Sequence, residues 1–243
     1  MPSEALEPLR ELHSGLTLYR FLRILLRNSH KNGVIALFFA GALGYLLGSF
    51  PTAYIFVLWK SNVDIRNAGS GNVGTLNSYE VTRSKMIGVA VLLIDLAKGA
   101  ISVLTAEAIF GNNFAVVAIS GIGTVLGHNF PVWLRFKGGR GLAPGAGVML
   151  TIAWQIVALW LICWGIGFAL TKRVNVGNTI ALLLTLLTLV ALPNATLGEL
   201  IPSYPQPIEF NCFALIFFGI MLVKHIEPVR TYILERRSRP AER

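Results

Sequence analysis

The chain has 243 residues, of which 54% are hydrophobic and 14% are charged, and its mean hydropathy is +0.63. This composition excludes an ordinary water-soluble domain of this length and makes a lipid bilayer the natural solvent. The formal net charge of +9 gathers in a few loops and in the tail, as in cytoplasmic segments of membrane proteins, and no nucleic-acid-binding motif accompanies it.

Residues 1–32 form an N-terminal extension that is less hydrophobic than the rest of the chain. Within it, Arg20, Arg23 and Arg27 recur three and four residues apart opposite leucines, which is typical of a helix lying at the membrane interface. A loosely ordered extension explains the same segment equally well. The early acidic residues argue against a cleaved signal peptide.

Apolar runs follow the extension, and several of them are long enough to cross the hydrocarbon, which takes about 20 residues as a helix. They cover residues 33–59, 86–110, 115–134, 142–170, 180–192 and 210–223. The run 142–170 is too long for one untilted pass and contains Pro144 and several glycines, so we count it as two crossings. The sequence therefore predicts an all-α polytopic integral membrane protein with about seven transmembrane helices, some short or bent, over residues 33–227.

The distribution of basic residues predicts the orientation of these helices. The loops 60–85 and 135–140, the pair Lys172–Arg173 and the basic tail 228–243 carry Lys and Arg, whereas the turn 111–113 carries neither. Basic loops stay on the cytoplasmic side, which puts the carboxyl end inside and the amino end outside. The basic residues between 20 and 31 then lie on the external side, against the usual bias, unless they lie flat at the interface or add a partial crossing.

A Gly-rich polar loop, residues 67–77, reads Asn-Ala-Gly-Ser-Gly-Asn-Val-Gly-Thr-Leu-Asn. Glycines allow successive backbone N–H groups to converge on an anion, and hydroxyl and amide side chains add donors around it. The loop is therefore a candidate phosphate site, although Gly-rich turns also serve simply as connectors. Its candidate ligands are Gly69, Ser70, Gly71, Asn72, Gly74 and Asn77.

A second polar loop follows the helix that ends near Pro131 and contains Lys137-Gly138-Gly139-Arg140. Arg140 could bind a phosphoryl group through the planar fork of its guanidinium, and Lys137 could bind it as a point charge. Their commoner role is to anchor a cytoplasmic loop. His128, at the preceding helix end, is either a base or a hydrogen-bonded capping residue.

Asp95 and Lys98 interrupt an apolar helix at three-residue spacing. Charges at membrane depth are costly. The pair therefore either has a function or consists of two opposite charges that neutralise each other. Cys163 and Cys212 lie in apolar runs and predict neither a disulfide nor a metal site. The sequence indicates no cofactor and contains no His-x-x-x-x-Asp, Gly-x-Ser-x-Gly or Walker A motif.

Taken in order, these segments resemble the acyl-phosphate:glycerol-3-phosphate acyltransferases, the PlsY family of bacterial phospholipid synthesis. The resemblance extends from about Gly41 to Arg230, and several motifs in the right order are far more specific than any one alone. The motifs are Gly48-Ser-Phe-Pro-Thr-Ala-Tyr54, Gly69-Ser-Gly-Asn-x-Gly74 with Asn77, Asp95-Leu-Ala-Lys-Gly99, Gly127-His-x-Phe-Pro-Val132, Phe136-Lys-Gly-Gly-Arg-Gly-Leu-Ala143, and His225-Ile-Glu227 with Arg230.

The resemblance implies an enzyme that moves a fatty acyl group from acyl phosphate to the sn-1 hydroxyl of glycerol-3-phosphate, giving lysophosphatidic acid and phosphate. It implies a multi-pass protein of the bacterial inner membrane, with Gly-rich cytoplasmic loops forming an active site that faces the cytoplasm. Catalytic positions are then Ser70, Lys137, Arg140 and His128. Phosphate-binding positions are Gly69, Gly71, Asn72, Gly74, Asn77, Lys98, Gly138 and Gly139, and a carboxyl-terminal motif comprises His225, Glu227 and Arg230.

The sequence also departs from the family pattern. Glu80 stands where the family usually has Arg, so an acid replaces a cation expected near the phosphate. Arg83 or Lys85 is then the candidate to restore that charge. Arg140 replaces a common Lys, which preserves charge but not geometry, and Pro228 replaces a usual Asn.

Three functions remain open at this point. The leading hypothesis is an active acyltransferase, and the second is a catalytically weak relative that binds anionic lipid or acyl phosphate, which Glu80 and Pro228 favour. A transporter for a phosphorylated solute is the third, because intramembrane charges and broken helices also suit transport. Nothing in the sequence specifies an oligomeric state or an acyl-chain length.

Overall fold

The protein is described by a computed structural model over residues 33–111, 113–200 and 207–238. All regular elements in these residues are helices, which confirms the predicted all-α class. The predicted interfacial helix of residues 1–32 lies outside the described residues.

The first apolar run forms two consecutive helices, α1 (Gly33–Gly48) and α2 (Thr52–Ser61). The chain leaves helical geometry at Pro51, which has no N–H to donate. The two helices together make one apolar span of 29 residues. The break at residues 49–51 therefore lies within a single span.

The polar loop that follows contains a 3₁₀ turn, Ile65–Asn67, and the short helix α3 (Thr75–Thr82). Helix α4 (Lys85–Phe110) begins at Ser84, whose hydroxyl accepts a hydrogen bond from the amide of Ile87 at 3.4 Å. It ends at Gly111, and α5 (Phe114–Asn129) then returns antiparallel to it.

The long run that begins at Leu142 divides as predicted, into α6 (Leu142–Ile152) and α7 (Trp154–Thr171). Eleven residues rise only about 16 Å as a helix, which is half the thickness of the hydrocarbon. Helix α8 (Val174–Ala191) follows directly, and α9 (Asn194–Leu200) is a short connector. Helices α10 (Pro207–Val223) and α11 (Ile226–Ser238) meet at a bend of 50°.

The described residues thus hold five helical segments long and apolar enough to span a membrane, or six if the bent pair is one span. The predicted number of about seven counted two crossings in residues 142–170. The structure places two helices there, the shorter apolar helix α6 and the full-length span α7. The polytopic class is therefore confirmed.

Small residues allow the helices to pack at close range. A Cβ atom on Gly44 or Gly48 would overlap the backbone of Ser120 or Thr124 on α5. Between α4 and α6, a Cβ on Gly99 would meet the carbonyl oxygen of Pro144. Such contacts between small residues hold membrane helices together where no hydrophobic driving force acts between them.

The polar ends of the helices gather at one end of the bundle. Arg140, just before α6, donates a hydrogen bond to Asn175 in the first turn of α8. Because α7 ends at Thr171, α7 runs toward this end and α6 runs away from it. At the opposite end of the bundle, α10 contributes the buried aromatic core of Phe210, Phe213 and Phe217.

Candidate active site

The Gly-rich loop is built around the side chain of Asn77. Its Oδ1 atom accepts a hydrogen bond from the amide of Ser70 at 2.9 Å. Its Nδ2 atom donates to the carbonyl oxygens of Ala68 at 3.0 Å and Asn72 at 2.9 Å, with a longer contact of 3.3 Å to Ile65. Asn77 is 1% exposed, so this amide replaces the hydrogen bonds that a helix or sheet would otherwise give the loop.

Two glycines give the loop its shape. Gly69 and Gly71 have φ angles of 59° and 69°, in the left-handed region that L-residues with side chains rarely adopt. A Cβ atom on Gly69 would also collide with Oδ1 of Asn77. Two of the positions predicted to bind phosphate, Gly69 and Gly71, thus also need glycine for their backbone conformation.

An ion pair joins the Gly-rich loop to the second loop. The guanidinium of Arg66 donates to both carboxylate oxygens of Asp64, at 2.6 Å for Oδ2, and also to the carbonyl oxygen of Leu134 at 3.2 Å. Hydrogen bonds from Arg66 hold the pKa of the Asp64 carboxyl below its usual value. Neither residue was a candidate from the sequence. The hydrogen bond from Arg66 to Leu134 connects two loops across 68 positions of sequence.

The Gly-Gly turn of the second loop folds back on the end of α5. The amide of Gly139 donates to the carbonyl oxygen of His128 at 3.0 Å, and that of Gly138 donates to Asn129 at 3.3 Å. A Cβ atom on Gly139 would overlap Nε2 of His128 and crowd the carbonyl oxygen of Val73. Both glycines are buried, so they act through the backbone of the turn.

The same loop is tied to the first span by two side chains. The Tyr45 hydroxyl donates to the carbonyl oxygen of Phe130 at 2.8 Å, and Nε1 of Trp133 donates to the hydroxyl of Ser49 at 2.9 Å. These bonds give the predicted Gly-Ser-x-Pro segment a structural role next to the site.

A cavity of about 810 Å³ opens between the Gly-rich loop, the start of α4, the residues around Arg140, and helices α7 and α8. It is polar near the loops and apolar along α4 and α7. The polar lining comprises Ser70, Asn72, Thr75, Asn77, Tyr79, Glu80, Lys85, Arg140, Asn175 and Asn178. The apolar lining includes Val89, Leu92, Trp160, Leu161 and Trp164. The cavity has the amphipathic character that a lipid with a charged headgroup requires.

Arg140 is the central cation of this cavity. It donates a hydrogen bond to Oδ1 of Asn175 at 2.6 Å, which fixes the guanidinium against the first turn of α8. Burial lowers the pKa of the guanidinium and the nearby carboxylate of Glu80 raises it. Arginine stays charged under any such shift, so the cavity keeps a positive site.

The residues around Glu80 show how the charge reversal is accommodated. Glu80 lines the cavity, and so does Lys85 at the start of α4. Arg83 borders a neighbouring depression, together with Glu80, and is not among the cavity's lining residues described here. Of the two candidates to restore the cation, Lys85 therefore occupies the better position.

Lys98 and His128 belong to a buried cluster next to the site. The Nζ atom of Lys98 lies 2.9 Å from a carboxylate oxygen of Asp95 and donates to the carbonyl oxygen of Phe50 at 3.1 Å. Nδ1 of His128 is 3.9 Å from the other carboxylate oxygen of Asp95. Lys98, Asp95 and His128 are 7%, 1% and 8% exposed. The cluster thus lies between the break that separates α1 from α2 and the Gly-Gly turn, and neither Lys98 nor His128 is among the described residues that line the cavity.

The remaining candidates lie elsewhere around the site. Lys137 is exposed on the second loop and is not among the described residues that line the cavity. His225, at the bend between α10 and α11, is fully buried, and its Nδ1 atom lies 2.8 Å from the carbonyl oxygen of Met221. His225 and Arg230 line a separate cavity of about 590 Å³ between α8 and α11. Glu227 is exposed in the first turn of α11.

Sequence reasoning missed Asn175 and Asn178, which line the cavity from the first turns of α8. The sequence does contain a signal for them, because two amide side chains follow the basic pair 172–173 at a spacing of three residues. Trp160 and Trp164 were also missed, because aromatic residues in an apolar run look like ordinary lipid-facing positions. Among the described residues, no group of three His, Cys, Asp or Glu side chains is placed to hold a metal ion.

Comparison with known proteins gives one consistent family. The sequence profile of the family described as "Glycerol-3-phosphate acyltransferase" matches residues 38–234. A "Glycerol-3-phosphate acyltransferase" of Thermotoga petrophila is 36% identical over 188 residues, which cover 77% of this chain and 88% of that protein. A "Glycerol-3-phosphate acyltransferase 2" of Thermotoga maritima is 32% identical over the same length and the same shares.

Two solved structures have the same fold. The crystal structure of PlsY (YgiH), an integral membrane glycerol 3-phosphate acyltransferase, in its glycerol 3-phosphate form, matches with a TM-score of 0.68 and 29% identity. The match covers 82% of this chain and 93% of that one. The lysophosphatidic acid form of the same enzyme matches with a TM-score of 0.66. The resemblance drawn from the motifs is therefore confirmed, and this chain belongs to the glycerol-3-phosphate acyltransferase family.

Proposed function

We propose that this chain transfers a fatty acyl group from acyl phosphate to the sn-1 hydroxyl of glycerol-3-phosphate, releasing lysophosphatidic acid and inorganic phosphate. The observation that carries the proposal is the amphipathic cavity, with Ser70, Asn72 and Arg140 at its polar end and an apolar wall from α4 and α7. One substrate is a lipid and the other is water-soluble, so the reaction needs a cavity of both characters. The PlsY structures with glycerol 3-phosphate and with lysophosphatidic acid support this acceptor and this product.

The proposed step is a direct transfer. The oxygen of the acceptor hydroxyl attacks the acyl carbon, the bond between that carbon and the phosphate oxygen breaks, and the electron pair leaves with phosphate. The hydroxyl proton goes to a phosphate oxygen of one of the substrates. Because an acyl phosphate is already activated, the protein mainly needs to align the two substrates and stabilise the developing charge.

The residues of the site have roles that follow from their chemistry and position. Arg140 and Lys85 provide positive charge for phosphoryl oxygens, and Ser70 and Asn72 provide neutral donors. Asn77, Gly69, Gly71 and Gly74 shape the Gly-rich loop, as Gly138 and Gly139 shape the second loop. Lys98 and His128 hold these loops from the buried side. Roles for Lys137, His225, Glu227 and Arg230 remain proposals from the family motif.

The basic loops and the tail support an active site that faces the cytoplasm of a bacterial inner membrane. The cavity is bordered by the loop 60–85, which carries Lys60, Arg66, Arg83 and Lys85, and by Arg140 of the basic loop 135–140. Residues 33–227 then form the transmembrane acyltransferase domain, and 228–243 form a cytoplasmic tail.

A catalytically weak relative is the second candidate function, and Glu80 is the observation that favours it. A carboxylate in a phosphate-binding cavity opposes the ligand by charge repulsion. Such a protein would still bind acyl phosphate through the apolar wall but would turn over slowly.

The test is phosphate release by the detergent-purified protein supplied with palmitoyl phosphate and glycerol-3-phosphate. We expect release that requires the acceptor, yields lysophosphatidic acid and falls at least about a hundredfold in Ser70→Ala and Arg140→Gln. Thr188→Ala, on an exposed position of α8, is the matched control and should keep full activity. A folded wild-type protein that releases no phosphate with several chain lengths would favour the second function.

A further inference from the structure

Three charged side chains line the cavity among the residues described here: Lys85, Arg140 and Glu80. Two cations suit a phosphoryl ligand, whereas a carboxylate repels it. Glu80 is the charged lining residue whose sign opposes the ligand, and the transfer step described above gives it no part.

Glu80 lines the same cavity as the two cations Lys85 and Arg140. It lies near the end of α3 and borders the cavity on one side and the depression shared with Arg83 on the other. The side chain is exposed to water within this open region.

We propose that Glu80 is a specificity-determining residue that weakens the binding of doubly charged phosphate esters in the cavity. Because the two side chains line the same cavity, a phosphoryl group bound by Arg140 is repelled by the carboxylate of Glu80. The inference rests on the proposed function of the same site. It predicts an enzyme whose affinity for glycerol-3-phosphate is set by the opposing charges of Glu80 and Arg140.

The effect belongs to substrate binding and not to the chemical step. Glu80 repels the acceptor's phosphate both in the ground state and in the transition state, because that phosphate stays intact during transfer. An interaction that is equal in the two states changes KM and leaves kcat unchanged. Because the carboxylate is exposed to water, its effect should also shrink at high salt.

The experiment compares three variants of the full-length protein in detergent. Glu80→Gln removes the charge and keeps the shape, and Glu80→Asp keeps the charge. Glu107→Gln removes a carboxylate from the opposite end of α4 and is the matched control. KM and kcat for glycerol-3-phosphate are measured at low and high salt with palmitoyl phosphate as donor. Binding of inorganic phosphate is measured separately by calorimetry.

We expect Glu80→Gln to lower KM and the dissociation constant of phosphate about five- to tenfold at low salt, with kcat within about twofold. Glu80→Asp and Glu107→Gln should have the KM of the wild type. High salt should reduce the difference in KM between Glu80→Gln and the wild type. An unchanged or higher KM in Glu80→Gln, or the same change in Glu80→Asp, would overturn the inference while wild-type turnover still supports the proposed function. If the wild type shows no turnover, the proposed function fails and the calorimetric comparison alone decides the role of Glu80.

Discussion

The guanidinium of Arg140 donates a hydrogen bond of 2.6 Å to Oδ1 of Asn175, across 35 positions of sequence. This bond fixes the end of the Gly-Gly turn against the first turn of α8. Without it the long arginine side chain would have many rotamers, and each would place the charge differently in the cavity. The proposed cation is therefore oriented by an amide that the sequence did not single out.

Replacing Asn175 by Ala should lower kcat/KM for glycerol-3-phosphate roughly tenfold, because Arg140 keeps its charge but loses its orientation. The measurement is steady-state phosphate release. Thr188→Ala, on the exposed side of the same helix, should leave kcat/KM unchanged. Equal kinetics in Asn175→Ala and the wild type would show that the bond does not position Arg140 for the reaction.

The sequence was sufficient for the membrane class, the order of the motifs and the break within residues 142–170. Each of these depends on local features, namely the length of an apolar run, the glycines that a turn needs and a proline in a helix. Periodicity and charge do not reveal the residue at which a helix ends within an apolar run. Ala153 separates α6, which has 11 residues, from α7, which has 18 and extends to Thr171.

The cavity itself could be predicted only in part, because tertiary packing decides which polar residues share a wall. Ser70, Asn72 and Arg140 meet there as their chemistry suggested. Lys98 turns instead toward Asp95 and the carbonyl oxygen of Phe50, where its charge is neutralised away from water. Nothing in the spacing of residues 95–98 distinguishes an internal ion pair from a ligand-binding cation.

Replacing Gly139 by Ala should destabilise the protein by about 1–3 kcal/mol, since the added methyl group would overlap Nε2 of His128. The folded protein should also release phosphate more slowly than the wild type, because the turn that carries Arg140 would have to move. Thermal unfolding in detergent and phosphate release are the two measurements. Gly165→Ala is the control, since a Cβ atom there has no neighbour within 4 Å. Wild-type stability and activity in Gly139→Ala would contradict the close contact.

Replacing Asn77 by Asp tests whether the amide of Asn77 builds the Gly-rich loop. The carboxylate would still accept the bond from the Ser70 amide, but its second oxygen would face the carbonyl oxygens of Ala68 and Asn72. Repulsion between these buried oxygens should destabilise the loop by about 2 kcal/mol or more and abolish most activity. Hydrogen exchange of residues 65–77 should rise. Unchanged exchange in this segment would indicate that the loop does not depend on the amide. Asn62→Asp, on an exposed turn, is the control.

The buried Asp95–Lys98 pair should contribute to the stability of the protein. Replacing Lys98 by Met leaves the carboxylate of Asp95 buried without its cation, which should cost about 3–5 kcal/mol of stability. In the double variant Asp95→Asn with Lys98→Met, no unpaired charge remains, so much of that loss should be recovered. The measurement is a double-mutant cycle by thermal unfolding in detergent. Strictly additive effects of the two substitutions would mean that the pair contributes no coupling. If stability returns in the double variant but activity does not, the charges of the pair act on the reaction and not only on the packing of α4.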